Sequence, residues 1–263
     1  MNVGTQEALL SVEQVAKRFG GLVALRGASF AVAPGSITAL IGPNGAGKTT
    51  MIDLISGYER PDSGAIRFDG RRIDGLPTHR VALGGVVRTF QLTRVFAAMS
   101  VRDNMLVGAH NHPGERLQRF PLGRSPVRRA EAEARERADR LLRAFALSDK
   151  ADDYAGTLSG GQRKLLEFAR ALMAEPRLVL LDEPMAGVNR ALGGRLLDKV
   201  EQLRREVGMT FLFIEHDMDV VMTRADRVVV IAEGAVVADG PPSMIRRDPR
   251  VLDAYLGRKA LAP

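Results

Sequence analysis

The amino-acid sequence predicts an α/β protein built on a mainly parallel β-sheet with crossover helices. Apolar segments of strand length alternate with helical patterns in the second half of the chain, and a glycine-rich loop stands between an early apolar strand and a helix. The stretch from about 92 to 160 carries no strand signal. We therefore expect a sheet-containing core formed by residues 1–91 and 161–263, and a separate helical lobe formed by residues 92–160.

The amino-terminal part of the chain has the pattern of short strands. "LLSVEQVAKRF" partly alternates between apolar and polar residues, and the turn Pro34-Gly35 separates two apolar runs in "ALRGASFAVAPGSITALIG". A helix is predicted from Lys48 to about Ser56, and "GAIRFDG" and "GVVRTFQ" then have strand composition. This region is therefore predicted to be rich in β-structure.

The rest of the chain is predicted to contain an exposed connection, then helices, and then apolar strands. An irregular, exposed connection is expected around "HNHPGERLQRFPLGRSP", and a charged amphipathic helix over 127–147, whose alternating charges are typical of a solvated face. A further helix opens at Gly161. Three apolar strands follow, "RLVLLD", "MTFLFIEH" and "DRVVVIAEG", with a helix over 190–206 between the first two. This alternation predicts the parallel sheet.

Composition excludes several classes of protein. The composition, with 45% hydrophobic and 26% charged residues, is typical of a soluble globular protein. The sequence has no apolar run of about 18 residues that would span a membrane. Its start lacks the pattern of a secretory signal. The absence of cysteine excludes disulfides and thiolate metal sites and suits the cytoplasm. The net charge of +7 fits an ordinary solvated basic surface, or a nucleotide, an anionic membrane surface or nucleic acid as a neighbour, and charge alone does not choose between them.

The segment "GPNGAGKTT" at 42–50 matches a phosphate-binding loop, with the apolar strand "SITALI" before it and a helix after it. Its glycines would let backbone N–H groups close around phosphate oxygens, Lys48 would reach the β- and γ-phosphates, and the Thr49 hydroxyl would bind Mg²⁺. The predicted loop residues are Gly42, Pro43, Asn44, Gly45, Ala46, Gly47, Lys48, Thr49 and Thr50. The chain is therefore expected to bind a nucleoside triphosphate.

Polar side chains follow the ends of three predicted strands. Asp182 and Glu183 end "RLVLLDEP", where open α/β sheets place ligands; Asp182 fits a Mg²⁺ partner and Glu183 fits a base that polarises the attacking water. His216 follows the strand "FLFI", and its residue type and position suit a structural role as well as a catalytic one. Gln91 follows "GVVRTF" and is polar enough to contact metal or water, a weak signal by itself.

A second anion site is suggested by "LSGGQ", which opens the helix after the lobe. A helix amino terminus offers unpaired N–H groups and a positive dipole, Ser159 adds a hydroxyl, and Gly160 and Gly161 let the backbone approach closely, with Gln162 completing the segment. Because the loop at 42–50 already supplies a phosphate site, this segment would serve the nucleotide of another molecule. The alternative is an ordinary helix cap.

Taken in order and spacing, "GPNGAGKTT", Gln91, "LSGGQ", "LVLLDEP" and "IEHD" resemble the ATP-binding subunit of an ABC transporter along nearly the whole chain. The resemblance implies a P-loop NTPase core with a mainly parallel sheet, an N-terminal antiparallel β region and a helical lobe. It also implies ATP and Mg²⁺ as cofactors, and a head-to-tail dimer in which each ATP lies between the phosphate loop of one subunit and "LSGGQ" of the other.

The resemblance also implies individual roles. His216 would contact the γ-phosphate, Gln91 would contact the metal at the lobe junction, and Phe19 would stack on adenine in place of the commoner tyrosine. Asn189 stands where the family often has an aspartate. This difference puts in doubt how strictly the two ATP sites of a dimer would be coupled.

A narrower resemblance is carried by "RTFQLTRVFAAMSVRDNMLVGAH", "EPMAGVN", "IEHDMDVVM" and "DPRVLDAYLG", which are similar to the larger ATP-binding subunit of branched-chain (hydrophobic) amino acid importers. Related importers carry urea, short amides and other small solutes, so the solute stays open. The resemblance implies two membrane permeases, a sister ATP-binding subunit or a second copy, an outside solute-binding protein, no nucleic acid, and a place at the cytoplasmic face of the inner membrane.

Two rival functions remain. A non-transport ABC ATPase acting on DNA or ribosomes would suit the basic charge, but such proteins usually carry a long coiled coil or two ATPase modules. A degenerate subunit that binds ATP without hydrolysis is disfavoured by Glu183 and His216. The apolar residues of "LTRVFAAM" recur at helical spacing and would either line a groove for a permease helix or belong to the lobe core; they are Leu92, Val95, Phe96 and Met99.

Overall fold

The computed structural model describes residues 8–89, 95–109, 124–186 and 190–256. The strands are β1 (Leu10–Phe19), β2 (Leu22–Val32), β3 (Ile37–Ile41), β4 (Ser63–Phe68), β5 (Arg71–Arg72), β6 (Val86–Thr89), β7 (Leu178–Asp182), β8 (Thr210–Ile214), β9 (Arg227–Ala232) and β10 (Ala235–Gly240). The α-helices are α1 (Lys48–Ile55), α2 (Thr78–Leu83), α3 (Val101–Leu106), α4 (Arg124–Ala144), α5 (Gly160–Leu172), α6 (Arg190–Val207), α7 (Met218–Arg224), α8 (Pro242–Ile245) and α9 (Pro249–Leu256). The chain divides into two compact units, Met1–Arg88 with Arg177–Pro263, and Thr89–Pro176.

A six-stranded sheet of order β10-β9-β3-β8-β7-β6 forms the centre of the first unit. The pairs β9–β3, β3–β8 and β8–β7 are parallel, and β10 pairs antiparallel with β9. Every residue of β3, β7 and β8 is buried, which explains their continuous aliphatic runs, since parallel strands are covered on both faces. The predicted α/β fold with a mainly parallel sheet is confirmed, while β10 is an addition that the sequence patterns did not indicate.

A second, four-stranded antiparallel sheet of order β2-β1-β4-β5 belongs to the same unit, as the resemblance implied. Its inward side chains share one apolar core with α1 and the large sheet; members of that core are Leu10, Val12, Leu25, Ile66, Met51, Ile55, Leu40, Leu180 and Leu212. The core fixes α1 and the carboxyl ends of β3, β7 and β8, and the loops at those ends carry the polar residues described below.

The second unit is helical. Phe145, just beyond α4, meets Phe168 of α5 edge-to-face with ring centroids 5.6 Å apart, and Met105 of α3 is fully buried. The predicted helix over 127–147 starts earlier, at Arg124, and an isolated bridge joins Ser100 to Tyr154.

The division of the chain differs from the predicted one at its second boundary. The prediction assigned the helix opening at Gly161 to the sheet-containing core, whereas α5 belongs to the helical unit because its apolar face packs on α3 and α4. Within the part of the chain that the structure describes, no helix is both long and apolar enough to cross a membrane.

Candidate functional site

The loop between β3 and α1 requires glycine at two positions. Gly42 has a φ of 149°, and a Cβ there would lie 1.9 Å from the Ile231 carbonyl oxygen; Gly47 has a φ of 106°, and a Cβ there would lie 2.6 Å from the Ala24 carbonyl oxygen. The Gly42 N–H donates to the Tyr255 hydroxyl of α9; burial raises the pKa of this phenol, and the hydrogen bond partly offsets the rise. Because both glycines are pressed against neighbouring backbone, the loop is held in one shape.

Lys48 is the buried cation of this loop. Its Nζ donates to the carbonyl oxygens of Gly42 at 2.8 Å and Pro43 at 3.0 Å. Burial lowers the pKa of Lys48, and the negative charges of Glu183 and Asp182 oppose that shift. The ammonium group therefore lies against the loop, next to the carboxylates at the end of β7, where it is available to a phosphate group.

Asp182 is buried at the end of β7 and pairs with an arginine that the sequence analysis did not identify. Arg88, on β6, donates from Nη2 to Asp182 Oδ2 at 2.7 Å and from Nη1 to Asp53 Oδ1 at 2.5 Å. Burial alone would lower the pKa of Arg88, but its hydrogen bonds to Asp182 and Asp53 outweigh burial and raise it. The signal in the sequence was a lone basic residue in the apolar segment "GVVRTF", which must find acidic partners when the strand is buried.

Glu183 and His216 come together from the ends of β7 and β8. His216 Nε2 lies 2.5 Å from Glu183 Oε1, and the Glu183 N–H donates to the Ile214 carbonyl oxygen at 3.1 Å. Glu183 has a φ of 50°, a left-handed conformation that costs a non-glycine residue about 1–3 kcal/mol and is found most often at functional sites. The catalytic base expected from the sequence and the histidine of the next strand thus form one hydrogen-bonded pair.

A third carboxylate, also missed by the sequence analysis, holds the loops that carry this pair. The buried Glu215 accepts backbone N–H groups from Met185 at 2.9 Å and His216 at 3.1 Å, and a further one from Asp217. Burial raises the pKa of Glu215, and these three hydrogen bonds act in the opposite direction. Glu215 therefore joins the segment after Glu183 to the segment that contains His216.

The "LSGGQ" segment forms the amino-terminal cap of α5. Ser159 Oγ accepts the Gln162 N–H at 3.2 Å, and Gln162 Oε1 accepts the Ser159 N–H at 2.9 Å, so the two side chains form a capping box. The ordinary cap considered from the sequence is therefore present. It does not account for Gly160, because a Cβ at this position would meet nothing within 4 Å.

Two further predicted residues, Phe19 and Thr49, lie within the described part of the chain. Phe19, at the end of β1, is 44% exposed, and Lys17 Nζ stands 5.0 Å from the centroid of its ring. Thr49 is exposed on the first turn of α1. Gln91 and Asn189 lie outside the described residues.

The oxygen donors fit Mg²⁺ if a nucleotide supplies further ligands. Asp182 offers a buried carboxylate and Thr49 a hydroxyl, which are ligands that this ion prefers. Among the residues that the structure describes, no group of three or more His, Cys, Asp or Glu side chains is placed to hold a metal by itself. A metal here would therefore share its coordination with phosphate oxygens.

Two family models match the chain. One, described as ABC transporter, matches residues 25–186, and the other, described as branched-chain amino acid ATP-binding cassette transporter, matches residues 235–260.

Similar proteins agree with these matches. The high-affinity branched-chain amino acid transport ATP-binding protein BraF of Pseudomonas aeruginosa is 44% identical over 95% of this chain and 98% of its own length. LivG of Escherichia coli, named in the same way, is 40% identical over 95% of this chain and 98% of its own length. Among solved structures, the ADP conformation of an ATP-binding cassette from an ABC transporter matches with a TM-score of 0.81 and 34% identity, covering 96% of this chain and 100% of that one.

Proposed function

Because this chain belongs to the ABC transporter family of ATPases, we propose that it is the ATP-hydrolysing subunit of an importer for branched-chain or other small amino acids. The family expected from the motifs is confirmed by the match over residues 25–186. The amino acid specificity is supported by the 44% identity to BraF and by the carboxyl-terminal match over residues 235–260. That match also disfavours the non-transport alternative.

The observation that carries the proposal is the meeting of three strand ends at one edge of the parallel sheet. β3 leads into the phosphate loop with Lys48, β7 ends at Asp182 and Glu183, and β8 leads to His216. Ligands of open α/β sheets bind at the carboxyl ends of the strands. The loop amides and Lys48 would bind the phosphates, and Phe19 would stack on the adenine ring.

Glu183 and His216, at the ends of β7 and β8, would carry out hydrolysis. Glu183 would orient the attacking water and accept its proton, while His216, 2.5 Å away, holds the carboxylate and would turn toward the γ-phosphate. Mg²⁺, when bound, would neutralise phosphate charge, held by Thr49, by Asp182 directly or through water, and by Gln91. Glu215 holds the segment after Glu183 and the segment that contains His216 together through its backbone hydrogen bonds.

The signature segment would complete the site of a second subunit. Within the described part of the chain, no atom lies within 4 Å of a Cβ built at Gly160, so no contact there requires glycine, and the amino terminus of α5 supplies N–H groups for an anion. Ser159, Gly160, Gly161 and Gln162 would therefore contact the ATP of a head-to-tail partner, either a second copy or a sister ATP-binding subunit.

The transporter itself would contain two membrane permeases and, on the outside, a solute-binding protein, with this chain at the cytoplasmic face of the inner membrane. Phe96 would contact a permease, because its side chain is 49% exposed; the Arg170 guanidinium lies 5.4 Å from its ring centroid. Residues 95–100 contain a turn and no helix, so Val95, Phe96 and Met99 do not form the helical stripe that their spacing suggested. Leu92 lies outside the described residues.

The test compares Glu183→Gln with Gly160→Asp. The glutamine variant keeps its shape and nucleotide binding but lacks the base, so ATP should persist and hold two subunits together, as seen by light scattering. The aspartate variant places a charge where a partner's phosphates must approach, so it should bind ATP as a monomer with near-normal affinity and fail to dimerise. Gly194→Asp, which adds the same charge at an open position of α6, is the matched control.

Two outcomes would contradict the proposal. Loss of nucleotide affinity in monomeric Gly160→Asp would mean that the signature acts on the ATP of its own chain. Failure of the wild-type chain, assembled with its permeases in vesicles, to drive uptake of leucine or another small amino acid would remove the import function. If the chain dimerises only with a sister subunit, the same variants are measured in that mixed pair.

A further inference from the structure

Arg88 is the centre of a partly buried ion cluster at the metal side of the site. Its guanidinium bridges Asp53 of α1 and Asp182 of β7, with N–O distances of 2.5 and 2.7 Å. The side chains of Arg88 and Asp182 are 12% and 6% exposed. The Asp53 side chain is 29% exposed, so the cluster is partly buried, and solvent and salt screen its charges less than those of a fully exposed pair.

The guanidinium of Arg88 contacts two carboxylates and the ring of Tyr58, whose centroid lies 5.6 Å from Cζ. Both of its terminal nitrogens donate to carboxylate oxygens, whereas the buried Nε has no hydrogen-bond partner among the residues that the structure describes. A buried donor without a partner is unfavourable, so a purely structural brace would be expected to satisfy it. The arrangement instead brings a permanent positive charge against Asp182, the carboxylate assigned to Mg²⁺.

We propose that Arg88 is a positioning residue that serves as a standing counter-ion for Asp182 and makes Mg²⁺ uptake depend on bound nucleotide. The inference rests on the proposed function, because it takes Asp182 as a metal partner. Without nucleotide, Arg88 neutralises Asp182 and repels a divalent cation. With nucleotide, the phosphate charges outweigh that repulsion, and the metal arrives together with the phosphates.

The size of the effect follows from Coulomb's law. Even with the dielectric constant of water, a unit charge several ångströms from a divalent ion changes the affinity for that ion by about tenfold. Removing the charge of Arg88 should therefore lower the Mg²⁺ concentration needed for half-saturation by about this factor, and a lysine, which keeps the charge, should restore a value close to that of the wild type.

The experiment uses Arg88→Gln, Arg88→Lys and Asp53→Asn. Asp53→Asn is the matched control, since it breaks the same cluster but leaves the positive charge beside Asp182. Binding of a fluorescent ADP analogue is titrated with Mg²⁺, binding of Mn²⁺ without nucleotide is followed by electron paramagnetic resonance, and melting temperatures are measured in EDTA. These measurements do not depend on ATP turnover.

For Arg88→Gln we expect a Mg²⁺ midpoint about tenfold lower, together with Mn²⁺ binding in the absence of nucleotide. Asp53→Asn and Arg88→Lys should keep midpoints near that of the wild type, although all three variants melt at lower temperature. If Arg88→Gln does not fold, the double variant Arg88→Gln with Asp53→Asn, which leaves no unpaired Asp53, is used and should show the same shift.

The proposal is overturned if the Mg²⁺ midpoint of the variant without Arg88 is unchanged or higher and only its melting temperature falls. Arg88 would then be a structural brace. Failure of the proposed function is distinguishable, because the wild-type chain would then bind no nucleotide analogue at any Mg²⁺ concentration.

Discussion

Replacing Gly42 by alanine tests the claim that the phosphate loop is held by close backbone contact. The added Cβ would stand 1.9 Å from the carbonyl oxygen and 3.0 Å from the carbonyl carbon of Ile231. Ile231 is fully buried in β9, and its neighbour Val230 pairs with Ile41 of β3. Neither backbone can move without disturbing the centre of the parallel sheet.

Two costs add in this variant. The left-handed φ of 149° contributes about 1–3 kcal/mol of backbone strain in a residue with a side chain. Moving apart two packed segments adds about 1–3 kcal/mol, as overpacking of a core usually does. We therefore expect the free energy of unfolding to fall by roughly 2–6 kcal/mol, a large part of the usual stability of a domain.

The assay is urea unfolding of the nucleotide-free protein, with Gly70→Ala as the matched control. Gly70 also has a positive φ, 71°, but a Cβ there meets nothing within 4 Å, so its replacement should cost only about 1–2 kcal/mol. ATP affinity should fall in the Gly42 variant and stay unchanged in the control. Equal losses of stability in the two variants would refute the reasoning, because the contact with Ile231 would then relax freely.

Two further predictions concern the transport surface and the loop clamp. Phe96→Asp should abolish coupling of ATP hydrolysis to uptake in the assembled transporter while leaving ATP affinity within about twofold, because the ring is half exposed and surface substitutions usually change stability by less than 0.5 kcal/mol; collapse of ATP binding with intact assembly would instead assign the ring to the core. Glu215 has a raised pKa in the folded state, so its favourable contribution is complete below the ordinary pKa of glutamate and is lost as the pH rises through the folded value. Relative to the wild type, Glu215→Gln should therefore gain stability as the pH rises above that ordinary value, and a difference in melting temperature that stays constant with pH would contradict this.

Local patterns in the sequence predicted the sheet and its loops well, because their physical requirements are local. A strand covered on both faces must be apolar throughout, and β7 and β8 are buried along their whole length. A loop that wraps phosphate needs glycine, and two positions where a Cβ would clash with neighbouring backbone, Gly42 and Gly47, fall within the predicted motif.

The parts that the sequence analysis missed depend on pairs of residues far apart in the chain. Arg88 pairs with Asp182, 94 residues later, and Glu215 accepts a hydrogen bond from the backbone of Met185, 30 residues earlier. The assignment of α5 to the helical unit similarly depends on packing against α3 and α4, which no periodicity within α5 specifies. Single-residue patterns indicate that a buried charge needs a partner but do not say which one.

The hydrogen bond from Gly42 to Tyr255 has a practical consequence for handling the protein. The first amide of the phosphate loop is held by a residue in the last described helix, within the carboxyl-terminal segment matched by the branched-chain family model. A truncation that removes α9 would therefore remove a hydrogen bond from the phosphate loop, although the two segments are far apart in sequence.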